Sequence, residues 1–209
     1  MFNQPCYKES LENTLKTEDF KAGNIVSSSS FVNLVNELGD DITALELGVA
    51  FGLNVIFMIN RCDNIKKYYA IDPHLAYQDW APDAAHGNMQ QELMSWVGEK
   101  FLENLNAYDK KDRIEYINKT GDDAKDLIPD NSIDFLFIDA NHSTDSVRQD
   151  CLNYYSKMKR GGIFCGHDYD GETVQAGVKQ FMEIAGIPED QLKIVFHPKT
   201  PPCWMIRVK

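Results

Sequence analysis

Short apolar runs that resemble strands alternate with longer stretches of helical spacing along most of this 209-residue chain. A strand, a helix and a second strand in succession build a parallel pair joined by a helical crossover. The predicted strands span 42–47, 67–71, 113–117, 133–138 and 162–165. The predicted helices span 52–62, 89–108, 143–159 and 173–185, after a shorter one near 31–38. The alternation therefore predicts an α/β fold with helices on both faces of a mostly parallel sheet.

The last two predicted strands, 192–196 and 204–208, are separated by a short turn that contains Pro198, Pro201 and Pro202. A parallel pair would need a helical crossover between its strands, and this turn is too short for one. The two strands should therefore be antiparallel. The complete prediction is a seven-stranded sheet with an antiparallel last strand.

The N-terminal residues 1–26 are polar and weakly patterned, which predicts an arm followed by a single domain over 27–209. The chain carries a formal net charge of −11. Nucleic acids and anionic membrane surfaces repel a protein this acidic, so neither partner is expected.

The five cysteines lie far apart in the sequence and form no Cys-x-x-Cys pair. This spacing argues against a disulfide framework and a zinc site, and it is typical of reduced thiols in a cytoplasmic protein. The first residues lack the basic and apolar regions of a signal peptide, and no apolar stretch is long enough to span a bilayer. The expected location is the cytoplasm.

The turn after the first predicted strand is rich in small residues, in the pattern Glu46-x-Gly48-x-Ala50-x-Gly52. Glycine permits a tight turn and lets the backbone approach a ligand closely. In an open parallel sheet, ligands bind outside the carboxyl ends of the strands, where this turn would lie. The pattern indicates a nucleotide-type cofactor, although such a strand–turn–helix junction also occurs for structural reasons alone.

Acidic residues follow the next two predicted strands. Asp72 ends the second strand, where a carboxylate can accept hydrogen bonds from both hydroxyls of a ribose. Gly121, Asp122 and Asp123 follow the third strand, where a carboxylate can accept a hydrogen bond from an adenine amino group. The structural alternatives are a simple turn residue before Pro73 and a helix N-cap.

Titratable residues follow the fourth and fifth predicted strands: Asp139 and His142 after the fourth, His167 and Asp168 after the fifth. Because the carboxyl ends of parallel strands meet at one edge, these side chains should lie together beside the cofactor. Such a group forms a metal site or an acid/base centre, which indicates an enzyme. Taken singly, Asp139 fits a helix cap near Ser143, and His142 fits a solvated loop residue.

The connection over 72–88 is unusually long and leaves the same edge of the predicted sheet. Long loops at this position often contact the substrate or close over it. The segments around Trp80 and His86 resemble the substrate-side loop of related sequences, which makes both residues candidate contacts to an acceptor substrate. A packed aromatic ring and an exposed histidine fit the sequence equally well.

These motifs, in this order, resemble class I methyltransferases that depend on S-adenosylmethionine (SAM), a Rossmann-like fold whose seventh strand lies between the fifth and sixth. The glycine turn, Asp72 and the acidic segment after the third strand look like the SAM site. The segments 133–142 and 161–169 resemble metal-dependent O-methyltransferases of the catechol and macrolide-sugar type, and cephalosporin-hydroxylase-like proteins. The resemblance extends from about residue 30 to the end of the chain.

The resemblance implies methyl transfer from SAM to a hydroxyl group of a small molecule. Asp139, His167 and Asp168 would hold Mg²⁺ or Mn²⁺, which orients the hydroxyl and lowers its pKa. Asp139 would also border the cofactor. His142 would be the general base, with His167 as the alternative base. Several relatives have a carboxylate in place of His167, and an imidazole there shifts the preference towards Mn²⁺, Fe²⁺ or Zn²⁺.

Three other hypotheses remain open. The first is a methyltransferase-fold protein with metal-free or hydroxylase-like activity. The second is a module that binds SAM without chemistry, which leaves Asp139, His142 and Asp168 unexplained. The third is an NAD-dependent oxidoreductase, which the glycine spacing disfavours. A homodimer is possible by analogy with relatives, and the acceptor is not readable from the sequence.

Overall fold

A computed structural model describes residues 16–18, 26–76 and 87–209 of the chain. Seven strands of this part form one sheet with the order β3-β2-β1-β4-β5-β7-β6. They are β1 (Ile42–Leu47), β2 (Ile65–Ile71), β3 (Ile114–Ile117), β4 (Ile133–Ile138), β5 (Met158–Gly166), β6 (Leu192–Val195) and β7 (Cys203–Arg207). The first five strands pair in parallel, and β7 lies antiparallel between β5 and β6. The predicted fold class and the antiparallel final pair are confirmed.

Helices connect the strands of the sheet. They are α1 (Val32–Asn36), α2 (Leu53–Arg61), α3 (Gly87–Ala107), α4 (Gly121–Ala124), α5 (Thr144–Tyr155) and α6 (Glu172–Ala185). The Ser143 hydroxyl caps α5 by accepting a hydrogen bond from the backbone N–H of Ser146. Gly186, with φ 67°, ends α6 in the left-handed conformation that glycine adopts without strain.

Two apolar clusters lie on the two sides of the sheet. Alternate residues of β4 enter different clusters: Leu136 and Ile138 join one, and Phe135 and Phe137 join the other. The first cluster includes Val147 of α5, and the second includes residues of α2. Because both faces are covered, the central strands β1 and β4 are buried along almost their whole length, and they were visible in the sequence as mostly apolar runs.

The predicted helix over 143–159 extends too far. The helix ends at Tyr155, and Met158 already belongs to β5, where it pairs with Ile133. The N–H of Lys157 donates to the carbonyl of Tyr154, which closes the last turn of the helix. Met158 is buried on the strand, at a position that also continues the apolar spacing of the helix. A short apolar segment of this kind fits both the helical and the strand period, so the sequence alone did not determine where the helix ends.

The cysteines of the described part are buried and form no disulfide: Cys62, Cys151, Cys165 and Cys203. Among the described helices, none is both long and apolar enough to cross a membrane. Val26, at the end of the predicted N-terminal arm, is buried against the second apolar cluster.

Candidate active site

The glycine turn after β1 lies in contact with the end of β4. Gly48 has φ 81°, and a Cβ atom at this position would lie 2.1 Å from the carbonyl oxygen of Asp139. The N–H of Asp139 in turn donates to the carbonyl of Leu47 at 2.8 Å. A residue with a side chain does not fit at position 48, because the two strand ends meet there.

Asp72 holds the turn from the neighbouring strand. Its Oδ2 accepts a hydrogen bond from the N–H of Ala50 at 2.9 Å, and its Oδ1 accepts one from the N–H of His74 at 2.7 Å. The residue is only 6% exposed. Two backbone donors therefore fix the carboxylate at the edge of the sheet, and Ala50 adopts φ 45° beside it.

His74 is a residue of this site that the sequence did not reveal. It is buried at 5% exposure, and its Nε2 donates to the carbonyl of Ala50 at 2.9 Å. Its Nδ1 lies 2.8 Å from the hydroxyl of Tyr116 on β3, and its ring packs on Phe101 of α3. His74 thus ties the glycine turn to two other elements. Its place two residues after Asp72 was the only sequence signal, and many surface turns share it.

A cleft of about 540 Å³ opens above the carboxyl ends of the strands. Its walls include predicted site residues from four places in the sequence: Gly48 and Ala50, Asp72, Gly121 and Asp122, and Asp139 and His142. Glu46, Gly52 and Asp123 lie near these residues without lining this cleft. The volume is in the range of natural small-molecule sites.

Asp122 and Asp123 are held by neighbouring side chains. Asp122 Oδ1 accepts hydrogen bonds from Asn153 Nδ2 at 2.8 Å and from Lys125 Nζ at 3.2 Å. The bond from Asn153 is the largest factor that lowers the pKa of Asp122. The hydroxyl of Thr120 donates to Asp123 Oδ2 and accepts from the Asp123 N–H, which caps α4. The N-cap residue of α4 is therefore Thr120 and not one of the two aspartates.

Glu46 lies on the other side of the glycine turn. It is 1% exposed, and it accepts hydrogen bonds from Asn54 Nδ2 at 3.0 Å and from the Tyr68 hydroxyl at 3.1 Å. Burial raises the pKa of Glu46 to about 8. Glu46 borders a second cavity of about 370 Å³, which Asn54 and His167 also line. Gly48, Ala50 and Asp139 line both cavities, so the two share the glycine turn and the end of β4 as walls.

The four titratable residues at the ends of β4 and β5 form one cluster. His142 Nε2 lies 3.6 Å from Asp139 Oδ1 and 3.1 Å from Asp168 Oδ2. His167 Nδ1 lies 3.6 Å and 3.2 Å from the same two oxygens. Asp168 reaches this position from a backbone with φ 53°, which non-glycine residues seldom adopt. The predicted convergence of these residues is present in the structure.

The histidines and carboxylates of the cluster change each other's pKa. Burial alone would lower the pKa of His167, but hydrogen bonds to Asp139 and Asp168 outweigh it and raise the value to about 10. A hydrogen bond to Asp139 raises the pKa of His142. Burial favours the neutral form of Asp139, yet the two histidines together lower its pKa. The cluster therefore stabilises negative charge on the carboxylates and attracts positive charge.

The spacing of the cluster also suits a divalent cation. Ligands at about 2.1 Å from an octahedral ion lie about 3.0 Å apart when adjacent and about 4.2 Å apart when opposite. The separations of 3.1–3.6 Å between the histidine nitrogens and the carboxylate oxygens lie in this range. Asp139, His142 and Asp168 offer three ligand atoms that are all within 4.8 Å of one another. These residues, with His167, could hold a metal.

His142 and His167 differ in exposure. The side chain of His142 is 41% exposed and lines the main cleft, whereas that of His167 is 13% exposed and lines the second cavity. His167 Nε2 is buried, and no residue in the described ranges forms a hydrogen bond with it. Trp80 and His86, the candidate substrate contacts, lie outside the described residues.

Solved structures with the same fold include several O-methyltransferases. The O-methyltransferase NovP is 17% identical and has a TM-score of 0.63, with coverage of 86% of this chain and 80% of that one. An O-methyltransferase from Bacillus cereus in complex with SAH, S-adenosylhomocysteine, is also 17% identical, with a TM-score of 0.61 and coverage of 96% and 91%. The O-methyltransferase TomG from Streptomyces achromogenes in complex with SAM is 12% identical, with a TM-score of 0.57 and coverage of 86% and 79%. At these identities the likeness concerns the fold.

A comparison of the sequence with models of protein families identifies the family to which the chain belongs. No curated protein matches the chain. The model of the methyltransferase domain matches residues 45–169, from β1 to just beyond β5, which is more than half of the chain. The match covers the glycine turn, Asp72 and the cluster of four titratable residues at the ends of β4 and β5. The chain therefore belongs to the methyltransferase domain family and has the fold of the class I SAM-dependent enzymes.

Proposed function

We propose that this protein transfers a methyl group from SAM to a hydroxyl group of a small molecule, with a divalent metal held by Asp139, His167 and Asp168. The observation that carries the proposal is the cluster of two carboxylates and two imidazoles, with contacts of 3.1–3.6 Å, at the rim of the main cleft. A SAM-binding module without chemistry would have no use for such a group of polar residues beside its cofactor.

The cofactor occupies the main cleft in this proposal. Asp72, already fixed by two backbone N–H groups, presents its remaining lone pairs to the ribose hydroxyls. The turn from Gly48 through Ala50 to Gly52 lets the backbone approach the cofactor closely. Glu46 borders the second cavity, and the amino-acid part of the cofactor would pass the glycine turn into it. An ammonium group beside Glu46 would favour the ionised form of this buried acid, which burial otherwise disfavours.

The remaining predicted cofactor residues lie at the β3 side of the cleft. Gly121 lines it with its backbone, because this residue carries no side chain. Asp122 lines it as well, and Asp123 stabilises the start of α4 through Thr120. In the proposal these residues shape the adenine end of the site.

The metal centre lies at the ends of β4 and β5. A bound Mg²⁺ or Mn²⁺ would supply a positive charge that lowers the pKa of an acceptor hydroxyl and fixes its position. Asp139 and Asp168 provide the hard oxygen ligands that such ions prefer, and the nitrogen of His167 favours Mn²⁺ over Mg²⁺. Asp139 also lines the main cleft, so an acceptor held there would lie next to the methyl donor.

His142 is the proposed general base. It lines the main cleft and is the more exposed of the two histidines, so an acceptor can reach it. His167 is mostly buried, which suits a ligand better than a base that must meet a substrate. In the apo protein, Asp139 raises the pKa of His142. A cation on the carboxylates would offset that effect and return the imidazole to its neutral, proton-accepting form.

The proposed acceptor is a small hydroxylated molecule, and the proposed location is the cytoplasm. The loop that carries Trp80 and His86 leaves the sheet beside the cleft, so both remain candidate acceptor contacts. A homodimer stays a hypothesis that size measurements in solution would test.

The test combines cofactor binding with metal dependence. We expect calorimetry to show SAH binding to the wild-type protein, and Asp72→Ala to weaken it by about tenfold or more, since each lost hydrogen bond to a charged group costs about 1.5–3 kcal/mol. Asp126→Ala, at an exposed position, removes the same charge and should leave SAH affinity unchanged. Absence of SAH binding to the wild type would contradict the proposal.

Metal dependence is tested with a second pair of variants. Asp168→Ala should lose Mn²⁺ binding and methyl transfer to a hydroxylated acceptor panel, while Asp170→Ala, an exposed neighbour of equal charge, should keep both. EDTA should stop the wild-type transfer, and Mn²⁺ should restore it. Transfer that persists after complete metal removal would favour the metal-free alternative, in which His142 and His167 act without an ion.

A further inference from the structure

We propose that the carboxyl group of Asp150 recognises the 6-amino group of the cofactor's adenine, and so selects an adenine over an oxo-purine. The inference rests on the proposed SAM site and adds a residue on α5 to it. No sequence motif indicated this role, because Asp150 lies in the middle of a helix rather than at a strand end.

Asp150 reaches the β3 end of the cleft from α5. It lines the cleft together with Gln149 and Gly121. A Cβ atom at Gly121 would lie 2.7 Å from Asp150 Oδ1, so the carboxyl group occupies the space that the glycine leaves. One turn later on the same helix, the Tyr154 hydroxyl donates to the Gly121 carbonyl at 2.9 Å, which holds α5 against this segment.

Asp150 also differs from its acidic neighbours in having no partner among the described residues. Asp122 accepts hydrogen bonds from Asn153 and Lys125, and Asp123 accepts one from Thr120. A half-buried carboxyl group without a donor is costly, and a ligand that brings a donor relieves the cost. Burial is the largest factor that raises the pKa of Asp150 to about 7, and the charge of Asp122 adds to it. No hydrogen bond from a donor offsets this rise.

The order of the strands places the base at this end. Along the sheet edge, the segment after β3 comes first, then Asp72 after β2, then the turn after β1, and then Asp139 after β4. An adenosyl sulfonium has the same linear order of base, ribose and reacting methyl group. With the ribose at Asp72 and the methyl group near Asp139, the base extends towards Gly121 and Asp150.

The chemistry of the contact follows from the donor and acceptor pattern of the base. Adenine carries an amino donor at position 6, whereas hypoxanthine carries an oxo acceptor there. A carboxyl group keeps an acceptor oxygen in either protonation state, so Asp150 can accept from the amino group. Opposite the 6-oxo group an ionised carboxylate faces a second acceptor, and the donor that hypoxanthine gains, N1–H, lies at the next ring position.

The experiment compares SAH with S-inosylhomocysteine, in which an oxo group replaces the 6-amino group and N1 carries a proton. Calorimetry on the wild type should show SAH bound about tenfold or more tightly than the inosyl analogue, the value of one buried hydrogen bond. Asp150→Ala should lower the affinity for SAH by about tenfold, leave that for the analogue nearly unchanged, and so abolish the discrimination. Asp126→Ala, an exposed acid outside the cleft lining, is the matched control and should preserve both the affinity for SAH and the discrimination.

A second variant keeps the result interpretable. Asp150→Asn retains an acceptor oxygen and adds a donor, so it should restore much of the SAH affinity and improve binding of the inosyl analogue. If Asp150→Ala discriminates between the ligands as the wild type does, or if Asp126→Ala abolishes the discrimination as well, the inference is wrong while the SAM site stands. If the wild type binds neither ligand, the proposed function itself fails.

Discussion

At the residue scale, the buried acid Glu46 links the cofactor region to the stability of the fold. Its two oxygens take hydrogen bonds from Asn54 and Tyr68 in a site with almost no solvent contact. Asn54 in turn accepts from the hydroxyl and the N–H of Ser28, just after the predicted N-terminal arm. A small polar network thus crosses the apolar packing beneath the glycine turn. The two hydrogen-bond donors favour the charged acid, but burial outweighs them and favours the neutral form.

Glu46 should make the protein less stable as the pH rises. Its ordinary pKa is 4.5, and in the folded chain it is about 8. Below the ordinary value the acid is protonated in both states, and its contribution to stability is fully present. Between these two pH values the unfolded chain releases the proton and the folded chain keeps it, which costs folding about 1.4 kcal/mol per pH unit.

We therefore expect Glu46→Gln to gain stability over the wild type steadily from pH 5 to pH 8. Urea unfolding in the absence of cofactor, at several pH values, measures the difference, and groups common to both proteins cancel. Glu37→Gln, on the exposed surface, should follow the wild-type profile. Parallel profiles for wild type and Glu46→Gln would mean that the buried acid ionises at its ordinary pKa.

At the element scale, the turn after β1 owes its shape to its contact with β4. Gly48 and Gly161 both have a positive φ, 81° and 80° respectively, but they differ in surroundings. A Cβ atom at Gly48 would overlap the backbone of Asp139 and Ala140, whereas one at Gly161 would meet nothing within 4 Å. Alanine at Gly161 therefore measures the cost of the left-handed backbone alone, and alanine at Gly48 measures that cost plus the cost of a steric clash.

Alanine at these two glycines should have unequal effects. Gly161→Ala should cost about 1–2 kcal/mol for the left-handed backbone alone. Gly48→Ala should cost clearly more in urea unfolding and should abolish SAH binding, because the turn must move away from the end of β4. Equal losses at the two positions would show that the turn relaxes without strain, and would remove this account of Gly48.

At the scale of the whole molecule, the sheet order brings residues from distant parts of the chain to one edge. Ligands that bind only the folded chain should stabilise it, by about 2.7 kcal/mol at a concentration one hundred times Kd. For a domain of this size we expect SAH at that level to raise Tm by roughly 5–10 °C. Scanning calorimetry with SAH and with Mn²⁺, separately and together, measures both effects.

The two variants at the end of β5 separate the ligands in this experiment. Asp168→Ala should keep the response to SAH and lose the response to Mn²⁺, while Asp170→Ala should keep both. A Tm that does not respond to SAH would contradict the cofactor site, and an unchanged Mn²⁺ response in Asp168→Ala would place the metal elsewhere.

The sequence by itself determined the architecture and the positions from which the site is built. The bounds of β1 and β4 are the predicted ones, because strands buried on both faces are mostly apolar, and these two are followed by Gly48 and Asp139. The strand alternation and the short final connection predicted the parallel sheet with its antiparallel last strand. Since parallel strands share one edge, the sequence also predicted that Asp139, His142, His167 and Asp168 would converge.

Only the tertiary structure decided which side chains of the site are already held by hydrogen bonds and which are left to face the cleft. His74 is buried between the glycine turn and Tyr116, Asp122 is held by Asn153, and Asp150 is left without a donor among the described residues. These hydrogen bonds join residues far apart in sequence. Both the bonds and the missing donor at Asp150 depend on how the helices pack on the sheet. Periodicity predicts which face of an element is buried, but it does not give the distance to an atom on another element.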